Sequence, residues 1–98
     1  MHANAALSLT QNRQSPAKEK LVATAAAWGA TAARQVIPRV QATATKDEVS
    51  ALLNELARAI VREARSRFSD DSVLAEVWRV AAHEAACAQL SAVEWQGP

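Results

Sequence analysis

The chain has 98 residues, half of them hydrophobic by count, and a formal net charge of +1. That length points to one domain, and so even a balance excludes naming a partner from charge alone. Of the hydrophobic residues 24 are Ala and 24 are Val, Leu, Ile, Met, Phe or Trp, so the core is modest and association would help to complete it.

The charge is unevenly placed. Residues 1–46 hold six Lys or Arg against Glu19, which gives +5, and residues 47–98 hold five Arg against nine acids, which gives −4. One cysteine excludes an internal disulfide and fits a reducing compartment. The first fourteen residues are polar and lack the apolar stretch of a signal peptide. The weakly apolar run 21–33 is too short to span a bilayer. The expectation is a cytoplasmic protein with no membrane contact.

In chain order, residues 1–14 carry no strong period and read as a flexible arm, ahead of a single helical domain over 15–98. Ser15-Pro16 is a helix start: Ser suits the N-cap, and Pro in the first turn loses only an N–H that has no partner there. The first helix is expected over about 16–36, with Pro38 ending it. Thr45-Lys46-Asp47-Glu48 is a capping box, opening a second helix over about 46–67. Ser69-Asp70-Asp71 starts a third, over about 70–94, with acids suited to the positive end of the helix dipole. No stretch alternates with period two for long enough to make a strand. The fold class is all-α: a three-helix bundle-like unit whose short join at Phe68 predicts a C-terminal antiparallel hairpin, completed by dimerisation.

The third helix carries the strongest signal. Wound at roughly 100° per residue, one arc collects Val73, Leu74, Val77, Trp78, Val80, Ala81, Ala85, Cys87, Ala88 and Ala92, and the opposite arc collects Ala75, Ala82, Ala86 and Val93. A helix apolar on both sides should be covered on both sides, by the rest of the chain or by a second one. The first helix instead has a small face of Ala25, Gly29 and Ala33, with Trp28 beside it. Gly inside a helix costs about 1 kcal/mol against Ala, which close approach of another helix backbone would offset. The second helix is amphipathic, with Val49, Leu52, Leu53, Leu56 and Ile60 on one face and Asn54, Arg58, Arg62 and Arg65 on the other.

These patterns select an interface of Ala25, Trp28, Gly29, Ala33, Trp78, Ala82, Glu84, Ala86, Val93 and Trp95. Trp is the commonest anchor of such surfaces. Glu84, inside an apolar arc, marks either the edge of the core or an ion pair with another helix or chain. Glu63 and Arg67 are spaced to satisfy each other.

Chemistry is sparse. His83 and Cys87 lie four apart, but two ligands fall short of the four that a structural zinc site wants. As a nucleophile pair they lack an oxyanion hole, and two glycines cannot build a phosphate loop. No cofactor, no metal and no enzymatic activity are expected. By elimination the sequence favours a non-catalytic protein-binding module, a regulatory adaptor or antiactivator-like inhibitor acting as a homodimer.

The alternative is nucleic-acid binding. Ala25-Ala26-Ala27-Trp28-Gly29-Ala30-Thr31 resembles the Ala-xxx-Gly turn of the helix-turn-helix family. That resemblance implies a small DNA-binding regulator with a degenerate motif near 18–37, whose reading helix Pro38 cuts short. Arg58, Arg62 and Arg65 would then meet phosphates.

Overall fold

The computed structural model describes residues 16–42 and 45–93. The described chain is all-helical, with α1 spanning Pro16–Gln41, α2 Lys46–Arg67 and α3 Ser72–Ser91. All three pack on one another as in a bundle, and the contact of α1 with α3 is the most extensive. The expected arm at 1–14 lies outside the described residues.

Pro38 does not end α1. The helix continues through it to Gln41, and the Ala42 amide donates to the Pro38 carbonyl at 3.1 Å to close the last turn. Proline removes one hydrogen bond and crowds the preceding turn, but packing here outweighs that loss. Val36 and Val40, on either side of Pro38, are both buried in the core. Arg39 also reaches Glu55 of α2 at 3.5 Å. Continuing the helix therefore buries Val40, which stopping at Val36 would forfeit.

Nor does the segment near Gly29 turn. Residues 18–37 form one unbroken stretch of α1, so the helix-turn-helix of the alternative reading is absent there. What offsets the cost of a helical glycine here is a neighbouring helix. A Cβ built on Gly29 would lie 2.7 Å from the Ala82 carbonyl carbon and 2.8 Å from its Cα, with the carbonyl oxygen nearer still. Only a residue without a side chain lets α1 and α3 approach so far.

α2 opens as expected. Thr45 sits in extended geometry and its hydroxyl accepts from the Glu48 amide at 3.1 Å. Leu56, Ile60 and Ala64, four apart, are its buried residues, with Val49 and Leu52 packed at the margin. Leu53, expected on the same face, is 37% exposed.

α3 starts two residues later than the sequence suggests. Asp71 is the cap itself: its Oδ1 accepts from the amides of Val73 and Leu74 at 3.1 and 3.0 Å. Ser69 and Asp70 lie in the preceding turn, where the Asp71 amide donates to the Phe68 carbonyl at 3.2 Å. The helix also stops short, at Ser91 rather than near 94.

The core is one cluster in which small residues outnumber large ones. Ala25 and Ala33 of α1 and Ala82 and Ala86 of α3 are almost wholly buried. Bulk comes from Ile60 and above all from Trp78, only 1% exposed. Trp78 lies between two partners: Trp28 is tilted against it at 5.3 Å, and the Arg67 guanidinium stands 5.0 Å from its ring centroid. Glu63 holds Arg67 in place at 2.8 Å. Aromatic and cation–aromatic contacts add to the burial of the ring. Among the described residues, the Trp78 indole N–H is buried without an acceptor.

Candidate interaction surface

The structure sorts the two arcs of α3. The alanine arc turns inward: Ala82 and Ala86 join Trp78 and Ala81 in the core. The first arc divides: its Trp78 and Ala81 turn inward, while Val73 is 70% exposed, Val80 is 38% exposed and Cys87 is also at the surface. The physical reason lies on α1. Its face of Ala25, Gly29 and Ala33 is flat, and only another flat face can come close enough to bury it fully.

Most of the residues selected from sequence as an interface therefore meet each other within the chain. Ala25, Gly29, Ala33, Trp78, Ala82 and Ala86 are buried between the helices, and Trp28 is half-buried against Trp78. Val93, just past the end of α3, is half-buried. Glu84 is exposed. Trp95 lies outside the described residues. Arg58, Arg62 and Arg65 are exposed along α2.

What faces solvent on α3 is a stripe of which the expected interface held only Glu84. Val73, Val77, Val80, Glu84 and Cys87 follow one another at steps of four, three, four and three. That is the spacing of a coiled-coil seam. Val77 is half-buried and the other four are exposed. The signal was legible, because the seam and the core face together make the helix apolar all round. Separating them needed the shape of α1.

Polar groups frame this stripe. Arg79 grips Glu76 through two hydrogen bonds, at 3.0 and 2.5 Å. The Arg79 hydrogen bond holds the Glu76 carboxyl below its ordinary value, and the same bond raises Arg79. One turn further on, Cys87 Sγ lies 3.5 Å from His83 Nε2, both side chains exposed.

Among the described residues, two of the clefts between the helices are well defined. The larger, about 590 Å³, lies where α2 gives way to α3 and is lined by Val61, Arg65, Phe68, Ser72, Ala75 and Arg79 among others. The smaller, about 240 Å³, lies between the first turns of α1 and the end of α2, against Trp78. Among the described residues no helix is long and apolar enough to cross a membrane.

Comparison with known protein families, with curated proteins and with solved structures finds no match.

Proposed function

We propose that this chain is a non-catalytic protein-binding module, a regulatory adaptor or inhibitor that works as a homodimer through the outer face of α3. The observation that carries this reading is the exposure of Val73 and Val80 on one side of a helix whose other side is already filled. An apolar seam with coiled-coil spacing, rimmed by charge, suits another helix better than it suits water. The hairpin of α2 and α3, joined by the short turn before Asp71, would present that seam away from α1. The mixed charges framing the stripe and the continuity of α1 through 18–37, which leaves no separate reading helix there, favour a protein partner over DNA.

The test begins with light scattering on the purified chain, which should give the mass of a dimer. Val73→Glu and Val80→Glu, both at exposed positions, should leave the helical circular dichroism intact and give the monomer mass. A monomeric wild-type chain at all concentrations would refute the dimer. A duplex DNA shift that weakens steeply with salt and disappears on replacing Arg58, Arg62 and Arg65 would favour the alternative instead.

A further inference from the structure

The larger cleft, where α2 gives way to α3, is divided by chemistry. One part of its lining is apolar: Val61, Ala64, Phe68 and Ala75. Ala64 belongs to the core, but Val61, Phe68 and Ala75 are only half-buried, so carbon surface is left wet there. The other part is polar, with Arg65 from α2, Ser69 from the turn, and Ser72 and Arg79 from α3. The volume of about 590 Å³ falls within the 300–1,000 Å³ usual for small-molecule sites. Such sites combine an apolar lining with a few polar groups that fix the ligand's orientation.

The polar part has donors to spare. Among the described residues Arg65 makes no ion pair and no side-chain hydrogen bond. Arg79 uses only Nε and Nη2 on Glu76, which leaves Nη1 without a bond there. A guanidinium has five N–H donors and no acceptor, so the partner it lacks is an acceptor. Glu76 is the one acid in the lining, and two guanidinium groups against one carboxylate leave a single positive charge. A monoanion neutralises that charge, whereas a phosphate dianion would overshoot it. The planar fork of a guanidinium also matches a carboxylate. The start of α3 adds no anion site of its own, because Asp71 already takes the amides of Val73 and Leu74.

We propose that this cleft binds a small amphipathic carboxylate, a single carboxylate head on an apolar body. The head meets Arg65, Arg79 and the hydroxyls of Ser69 and Ser72; the body covers Val61 and Phe68. Glu76 holds Arg79 and is a positioning residue. The cleft shares no residue with the outer seam of α3, so the site does not depend on the dimer. A ligand seated across α2 and α3 stabilises the folded hairpin by mass action.

The experiment is a calorimetric titration of the full chain with octanoate, with amide chemical shifts recorded in parallel. The expected result is saturation at one octanoate per chain, with shifts at Phe68, Ser69, Ser72 and Ala75. Butanoate should bind more than about tenfold weaker, since each fully buried CH₂ is worth about fourfold. Octanol, which keeps the tail and lacks the charge, should bind about tenfold weaker, as should octanoate to Arg65→Gln. Arg58→Gln and Arg62→Gln, on the same helix but outside the cleft, should leave the affinity within about twofold. Circular dichroism should be unchanged in all three variants. Binding without saturation, or no binding, overturns the proposal. Equal affinity for octanol and octanoate overturns it too, because the arginines would then play no part. Equal losses in Arg58→Gln and Arg65→Gln would mean diffuse attraction to α2 and no site.

Discussion

Gly29 of α1 faces the backbone of Ala82 in α3 with no room for a side chain between them. The contact is with a carbonyl group, which cannot rotate away as a flexible side chain would. Relief must come from separating the helices, and that opens the whole seam of Ala25, Ala33 and Ala86.

Gly29→Ala should therefore destabilise the chain. Helix propensity alone favours Ala by about 1 kcal/mol. Overpacking a tight contact costs about 1–3 kcal/mol, and immovable backbone puts this site at or beyond the upper end. The expected net loss is about 2 kcal/mol, read as a lower urea midpoint at unchanged slope. A raised midpoint would mean that the helices separate without cost.

Pro38→Ala should act in the opposite direction. An interior proline costs about 3 kcal/mol through the missing N–H and the crowded turn. Replacing it also frees the unfolded chain, which returns up to about 1 kcal/mol. Thermal unfolding should show a gain of about 2 kcal/mol. Unchanged stability would mean that Pro38 costs the helix nothing where it stands.

Asp71 caps α3 by accepting from two amides. Asp71→Ala should cost about 1 kcal/mol and Asp71→Asn much less, since Asn keeps the acceptor. Hydrogen exchange at Val73 and Leu74 would report the local loss. Equal effects of Ala and Asn would mean that charge at the helix start matters more than the hydrogen bonds.

The Glu76 and Arg79 pair sets a pH dependence whose sign is fixed. The Glu76 carboxyl is held below its ordinary value, first by the Arg79 hydrogen bond. Its contribution is complete above the ordinary carboxylate range and fades as pH falls through the lowered folded value. Glu76 is fully exposed, so the contribution is small and salt should erase it. A carboxyl NMR titration should place Glu76 below an ordinary glutamate, and Arg79→Gln should return it to the ordinary range. No movement in that variant would remove the arginine as the cause.

Periodicity and caps were enough to place three helices, because Pro16, Thr45 and Asp71 each act within a few residues of themselves. The close approach at Gly29 was legible too, since a helical glycine demands a reason. Two things were not. Pro38 looked like a stop because its local cost is visible in sequence, whereas the burial of Val40 that outweighs it depends on a distant surface. The other was which side of α3 the rest of the chain covers, since both sides are apolar. Here the opposing face is built of Ala25, Gly29 and Ala33, and matching relief decided the matter.

That joint reverses the usual ranking of which positions tolerate change. In most interiors the bulkiest members are the least replaceable and an alanine is spare room. In this molecule a single added methyl at the flattest point should do harm on the scale of trimming a buried isoleucine to alanine, while an outward valine can be exchanged without the fold noticing. A mutational scan would find its intolerant sites where the side chains are smallest.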